Sequence, residues 1–385
     1  MHVEMKTICN YIECTGCSAC FNICPHHAIE MKEDKFGELH PVINTSKCSD
    51  CGICQKNCPT NNKSQLVKPR YCYAAWNSDT VACKESASGG VAAYMYSTWI
   101  KEHKGIVYGV GWNHKLEPHF IRLSSLDKLE QLRGSKYVQA YVDDTFQQVK
   151  SDLQEELFVL FIGTPCQIAG LKAFLAKEYS NLLTCDLLCH GVPPFAYLRQ
   201  ELSSFPKKLL RKTTKCRFRG NDEYNYCFSL WDGETLLYSK KAQLSYYLYG
   251  FLTSITLRES CYRCKFTSPK RGSDITIGDF LGIKRLKSLG SLPKNISVVT
   301  INSEKGERFW KEVYTHNDTL HVEEQMIEEA VKGGGSFRKP AERNQKRNTF
   351  KLNYKLFGWN IAIHWALWKS ILKTKLLILL HNDRL

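Results

Sequence analysis

The sequence predicts two unlike units in tandem: a small α+β module at the amino terminus and a larger α/β domain after it. Two observations carry this reading. A cysteine motif occurs twice near the amino terminus at a constant offset, and the remainder of the chain alternates strand, glycine turn and helix signals. A basic amphipathic stretch follows them. The expected boundaries are 1–62 for the first module, 69–150 and 151–337 for the two parts of the larger domain, and 338–385 for the tail.

The repeated motif is Cys14-x-x-Cys17-x-x-Cys20-x-x-x-Cys24-Pro25, which recurs as Cys48-x-x-Cys51-x-x-Cys54-x-x-x-Cys58-Pro59, every cysteine and the proline displaced by 34 residues. Three thiolates on one short loop reach three irons of one cubane. The fourth, beyond a turn, points away and ligates the partner cluster. The rule assigns Cys14, Cys17, Cys20 and Cys58 to one [4Fe-4S] cluster and Cys48, Cys51, Cys54 and Cys24 to the other, in a ferredoxin-like module. Zinc would need only four of these ligands and would leave the third cysteine of each run and the proline unexplained. Gly16 and Gly52 are expected to let backbone amides approach sulfur.

Composition agrees with metal ligation. The chain has 385 residues, 43% apolar and 24% charged, and eighteen cysteines. Its first residues, Met-His-Val-Glu-Met-Lys-Thr-Ile-Cys, have no apolar secretory core, so a cytoplasmic setting with reduced thiols is expected. The most apolar stretch, 359–380, is interrupted by His364, Lys369, Lys373 and Lys375, which argues against a membrane span. The formal charge of +15 is uneven: residues 338–385 hold eleven Lys/Arg and two acids, a net of +9, leaving +6 for everything else. With the excess in one tail and no zinc-finger or RNA-recognition signature, no nucleic-acid partner is expected.

The larger domain begins after a polar link, 61–68. Ser88-Gly89-Gly90 precedes a helix-length apolar run over 91–102, Lys104-Gly105 ends it, and Ile106–Trp112 reads as a strand. Residues 157–162 form a second strand, then Gly163-Thr164-Pro165-Cys166 opens a helix over 167–175. Residues 182–188 form a third strand running into Cys189-His190-Gly191-Val192-Pro193. Such repetition predicts ligands at the carboxyl ends of the strands. Cys261-x-x-Cys264 and Ser273-Asp274-Ile275-Thr276-Ile277-Gly278-Asp279-Phe280 come later.

Two strands thus deliver a cysteine at their ends, Cys166 and Cys189, and Cys261 and Cys264 follow as a close pair. Four thiolates from three places can converge on a third cubane. Spacing leaves alternatives open: Cys166 as a lone low-pKa thiol at a helix start, or the Cys-x-x-Cys as half a zinc site. Cys185 rivals Cys189, because residues four apart on a strand share a face. Cys9, Cys72, Cys83, Cys185, Cys216 and Cys227 are otherwise read as small apolar residues. Three turns have the chemistry to cradle phosphate: Ser88-Gly89-Gly90, Arg133-Gly134-Ser135-Lys136-Tyr137, and Gly163-Thr164-Pro165. Each also reads as an ordinary tight turn with a helix cap. No dinucleotide fingerprint or P-loop is present.

As an ordered set these motifs resemble the family of coenzyme F₄₂₀ hydrogenase/dehydrogenase beta subunits. The resembling elements are Ser88-Gly89-Gly90, Arg133 to Gln139, Gly163 to Gln167, Leu188 to Pro193, Cys261-x-x-Cys264 and Asp274 to Asp279, in order over 71–335. The amino-terminal two-cluster module also looks like an arrangement found in this family. The resemblance implies FAD beside a [4Fe-4S] cluster held by Cys166, Cys189, Cys261 and Cys264, hence an α/β flavin and iron–sulfur domain. It implies flavin contacts at Ser88, Gly89, Gly90, Arg133, Gly134, Ser135, Lys136, Tyr137, Thr164, Gly278 and Asp279. Family members often carry Trp after Gly-Asp-Phe; here Leu281 stands there, which weakens any inference about the ring's stacking partner. His190 has two readings, proton donor or hydrogen-bonded support.

A flavin exchanges electrons in pairs and clusters singly, so the expected function is an oxidoreductase passing electrons between a reduced carrier (ferredoxin or F₄₂₀-like) and a small organic acceptor. Many bacterial members that this chain resembles are linked to surface-polysaccharide synthesis. The alternative is an electron-relay subunit without a substrate of its own. In the tail, Phe357, Ile361, Trp365, Trp368, Ile371 or Leu372, Leu376 and Leu379 recur at three- and four-residue steps between lysines, a basic amphipathic helix. It is expected either to pack on the protein or a partner, or to touch an anionic membrane surface through 351–380 from the cytoplasmic side.

Overall fold

The computed structural model describes residues 7–62, 65–79, 86–219, 226–283, 286, 293 and 295–380. Of the features read from the sequence, Cys83 lies outside these residues. The amino-terminal module pairs strands β1 (Ile29–Glu33) and β2 (Leu39–Ile43) antiparallel, Ile29 opposite Ile43. Its two short helices, Ala19–Ile23 and Ile53–Lys56, each follow a residue in the left-handed region, Ser18 and Gly52. The repeat in sequence is thus a repeat in space.

The larger domain is built on strands β3 (Tyr71–Asn77), β4 (Ile106–Trp112), β5 (Pro118–Leu123), β6 (Val159–Gly163), β7 (Leu182–Leu187), β11 (Ile275–Asp279), β12 (Ser297–Ile301) and β13 (Leu320–Glu324). They form one sheet in the order β13-β3-β12-β11-β7-β6-β4-β5, drawn from both sides of residue 150. The centre, β11-β7-β6-β4, is parallel, and the flanking strands are antiparallel. Alternation along β6 explains the layering. Leu160 and Ile162 pack with Met95, Trp99 and Trp310 under helices Val91–His103 and Glu304–Thr315, whereas Val159 and Phe161 face Phe146, Leu171 and Phe174 of helices Thr145–Gln154 and Pro165–Leu175. Carboxyl ends of three parallel strands therefore open on one side, as such sheets place ligands.

Local sequence fixes where helices start at that opening. Pro165 occupies the first turn of Pro165–Leu175, where its missing N–H costs nothing, and the Gln167 side chain accepts from the Thr164 N–H at 3.0 Å. Helix Val91–His103 starts after Gly90 at φ 80° and stops at Lys104 in the left-handed region. Deeper in the sheet, Asp186 and Arg271 form an ion pair at 2.9 Å with both side chains 2% exposed, and Asp274 accepts from the Thr184 N–H and hydroxyl at 2.8 and 2.7 Å. These bonds hold the start of β11 on β7.

A second, antiparallel sheet, β8 (Lys215–Arg219), β9 (Tyr226–Asp232) and β10 (Thr235–Lys241), shares a core with helices Phe195–Ser203 and Tyr246–Leu252 and with the last helix, Arg347–Leu380. That last helix kinks at Gly358, φ 76° and ψ −174°. Its inner face buries Trp359, Ala362, Ile363, Ala366, Leu367 and Ile371. Of the stripe read from the sequence only Ile371 is buried there. Phe357, Ile361, Trp365, Trp368, Leu372, Leu376 and Leu379 face outward. The helix has two apolar faces, and the pattern at three- and four-residue steps picked the exposed one.

Candidate functional site

The glycine turns, though far apart in sequence, meet at the carboxyl ends of β6, β7 and β11. They line a cavity of about 940 Å³ with Ser88, Gly90, Arg133, Gly134, Ser135, Lys136, Tyr137, Thr164, Cys166, Cys189, His190, Gly278 and Asp279 on its walls. Two helix amino-termini open on it, at Gly90-Val91 and at Thr164 to Gln167, so the positive ends of two helix dipoles face one space.

The structure redistributes several expected roles. Gly89 does not line the cavity. It is pressed against the sheet, where a Cβ would lie 2.3 Å from the Ala75 carbonyl oxygen, and its N–H donates to Ser297 Oγ at 2.9 Å. Gly89→Val is therefore expected to lower stability by roughly 1–3 kcal/mol or more through overpacking. A denaturant midpoint that falls before any ligand affinity changes would register it. Lys136 lines the cavity, yet its ammonium donates to the carbonyls of Leu132 and Arg133 at 3.1 and 2.8 Å, and burial pushes its pKa down to about 7. Arg133, paired with Glu130 at 3.2 Å, is the other cation of that turn. The Asp279 carboxylate is held by Arg219 Nη1, 2.7 Å from both oxygens, and by the Tyr226 hydroxyl at 3.2 Å. Tyr137 stacks on Phe251 at 4.6 Å, with Tyr226 6.4 Å away, so an aromatic wall closes this end. Arg219, Tyr226 and Phe251 carried no motif in the sequence. His190 Nε2 lies 3.0 Å from Ser254 Oγ and its ring meets Phe251 edge-on; burial lowers its pKa, favouring the neutral imidazole.

The thiols fall into three sets. Cys17, raised to about 11 by burial, also feels Cys14 and Cys58; Cys20, raised by burial, feels Cys17, Cys14 and Cys58. Cys24, Cys48, Cys51 and Cys54 line one small cavity of about 30 Å³. Cys166, Cys189 and Cys261 are each raised, first by burial, with Cys189 reaching about 12, and each also feels Cys264. Among the described residues, no group of three or more His, Cys, Asp or Glu side chains is arranged to hold a single metal ion. Cys185 belongs to none of the sets; it is fully buried among Leu183, Ile275 and Ile277. The parity argument fails because β7 ends at Leu187, so the alternation does not extend to Cys189. Cys9, read as apolar filler, instead acts electrostatically on Cys14 and Cys58. Its thiol is the first influence that lowers the pKa of both, Cys58 to about 6, which favours their thiolate forms.

Residues 158–327 match the family model for the carboxyl-terminal part of the coenzyme F₄₂₀ hydrogenase/dehydrogenase beta subunit, and residues 13–62 match the 4Fe-4S dicluster domain. The chain thus carries a domain similar to the carboxyl-terminal part of these beta subunits behind a 4Fe-4S dicluster domain. It is 24% identical over 205 residues to the F component of the F₄₂₀H₂ dehydrogenase of Methanosarcina mazei, spanning 49% of this chain and 56% of that one. An uncharacterized protein of Methanocaldococcus jannaschii is 23% identical over 359 residues, covering 82% of this chain and 92% of its own. A chain in the F₄₂₀-reducing NiFe hydrogenase complex from Methanosarcina barkeri superposes with a TM-score of 0.47 at 17% identity, over 67% of this chain and 83% of that one. The protein is thus an iron–sulfur electron-transfer protein related to F₄₂₀ hydrogenase/dehydrogenase.

The dicluster module is part of the cavity wall, through Thr15 and Gly16. Gly16, at φ 64°, sits where a Cβ would lie 2.6 Å from Gln139 Nε2 and 2.9 Å from the Leu39 carbonyl, so its small size serves docking as well as its turn. Arg258, 1% exposed, clamps the seam. Its guanidinium donates to the Cys14 carbonyl and Gln139 Oε1, each at 3.0 Å, and to the Leu39 carbonyl at 2.5 Å. Glu38 of the module adds bonds from the Glu259 N–H at 3.1 Å and from Arg347 at 3.4 Å. The thiol sets are ordered across this seam. Cys20 feels Cys54 of the second set, and Cys166 of the third feels Cys17; a Cβ on Gly170 of the Cys166 helix would lie 3.1 Å from Cys17 Sγ.

Proposed function

We propose that this protein is an iron–sulfur flavoprotein oxidoreductase that passes electrons between a one-electron carrier such as ferredoxin and a small organic acceptor. The observation that carries the reading is the order of the thiol sets, from Cys51, which is exposed, through Cys20 and Cys17 to Cys166 on the cavity wall. In this reading Cys14, Cys17, Cys20 and Cys58 hold one [4Fe-4S] cluster, Cys24, Cys48, Cys51 and Cys54 a second, and Cys166, Cys189, Cys261 and Cys264 a third.

The cavity suits FAD on three counts. Its volume of about 940 Å³ lies in the range of cofactor sites. The two helix amino-termini and Arg133 offer N–H groups and positive charge to a diphosphate. Tyr137, Tyr226 and Phe251 offer an apolar wall to a ring. When bound, a flavin exchanges electrons in pairs and clusters singly, so together they join a two-electron acceptor to a one-electron donor. The residues of the chain orient and insulate: Arg219 and Tyr226 hold Asp279 in place, Ser254 holds His190, and the seam at Arg258 fixes the distance between module and body.

Protein purified anaerobically is expected to carry flavin and, with three cubanes, about twelve irons per chain. Cys189→Ser should lose about a third of that iron. Stoichiometric zinc without sulfide, or a colourless body with no extractable flavin, would overturn the reading. A relative named as part of a dehydrogenase favours a second reading, an electron relay serving a larger complex. Turnover of an organic acceptor by the isolated chain separates the two.

A further inference from the structure

We propose that the outer face of the terminal helix is a docking surface for an anionic lipid bilayer, on which the helix lies flat. Among the described residues 21 large apolar side chains are exposed, and eleven of them lie between Leu352 and Leu380. Elsewhere such residues are scattered singly, as on any protein; here they are contiguous. Beyond the kink at Gly358 the stripe runs Ile361, Trp365, Trp368, Leu372, Leu376 and Leu379, at successive steps of four, three, four, four and three. Trp365 and Trp368 are 63% and 48% exposed, and Leu379 71%.

The opposite face is occupied, because Trp359, Ile363, Ala366, Leu367 and Ile371 are packed into the core shared with β9 and helix Tyr246–Leu252. The helix is thereby held lengthwise against the body with its other side bare. Among the described residues, no helix is long and apolar enough to cross a membrane. A helix of 22 residues after the kink is about 33 Å long, enough to lie along a surface through six turns.

Charge selects the occupant. Residues 343–382 contain eight Lys/Arg and no acid; Arg343, Arg347 and Lys351 pair with Glu259 and Glu38 of the body, and Lys355, Lys369, Lys373 and Lys375 are exposed. Lys369 and Lys373 flank the stripe on one side and Lys375 on the other, all exposed, as helical spacing dictates for residues one position from Trp368, Leu372 and Leu376. An apolar stripe bearing tryptophans and bordered by lysines matches the boundary of a bilayer, where indoles sit at the headgroups and ammonium groups reach anionic lipid. A second copy of the chain fits poorly, because an isologous contact would set these lysines against each other without any acid between them. The core of a protein interface is also depleted of lysine.

Flotation of the full-length, cluster-loaded protein with lipid vesicles tests this. Binding is expected to vesicles of phosphatidylcholine with about a third phosphatidylglycerol, at least about tenfold weaker to phosphatidylcholine alone, and reversed by salt. The double variant W365E/W368E should lose at least about tenfold of the anionic-vesicle binding, because two carboxylates replace the indoles at the interface. Its iron content and melting midpoint should be unchanged, since neither side chain touches the core. K369Q/K373Q/K375Q, also solvent-facing, should weaken binding to anionic vesicles and leave the residual binding indifferent to salt. No flotation of the wild-type chain with anionic vesicles at low salt would overturn the proposal. So would a vesicle-free dimer that W365E/W368E converts to monomer.

Discussion

Serine at position 17 is expected to stop electrons from an external one-electron donor reaching the cavity while the body of the protein stays folded. Cys17 stands where the first thiol set meets the third: it is within electrostatic reach of Cys166 and packs against Gly170 of the same helix. Of the amino-terminal cysteines, Cys17 is the one named among the largest influences on Cys166. Anaerobic stopped-flow mixing with reduced ferredoxin should show the loss, while dithionite still bleaches any bound flavin directly. Cys72→Ser is the control, since Cys72 is buried among Ala74, Val298 and Phe280, away from all three sets. Equal rates in Cys17→Ser and wild type would exclude the module as the conduit. Removing the module outright is a poorer experiment. The cut would strip Thr15 and Gly16 from the cavity wall and leave the buried Arg258 without two of its acceptors.

Arg258→Leu should destabilise the protein by roughly 3 kcal/mol or more, because it leaves three buried neutral acceptors without their donor. The Cys14 and Leu39 carbonyls and Gln139 Oε1 would lose a charged donor in a seam that water does not reach, and each unsatisfied buried acceptor costs about 1–3 kcal/mol. Arg258→Lys should recover little, because one ammonium cannot span the three acceptors that the planar guanidinium reaches. Anaerobic denaturant unfolding would show the change as a lower midpoint. If the seam separates before the body unfolds, module and body transitions should become distinct, with the cluster absorbance lost first. An unchanged midpoint would mean that the module docks through Glu38 and its contacts with Glu259 and Arg347 instead.

Much of the site was legible in the sequence because its chemistry is local. The displacement of 34 residues between the cysteine runs needs only a short loop and a turn to be read, and both are fixed by neighbours in the chain. Strand Ile106–Trp112 and the helix opened by Thr164-Pro165 were equally plain, since apolar runs and caps are set within a few residues. The sequence also placed the glycine turns and Cys166 and Cys189 at strand ends, which is where the cavity lies.

What the tertiary structure decided are questions of facing and of distance. Gly89 looked like a phosphate contact, and only the approach of Ala75 and Ser297 shows that its missing side chain makes room for the sheet. Cys185 lost its claim once β7 was seen to end at Leu187, because alternation specifies a face only while the strand lasts. The terminal helix has apolar residues on both sides, and periodicity cannot say which side meets the core. Burial of Trp359 and Ile363 and exposure of Trp365 and Trp368 answer that. Arg258 and Cys14 are 244 residues apart, and no spacing rule connects them. Their bond exists because two separately folding patterns present complementary polar groups at one seam, and only the packed chain brings them within reach.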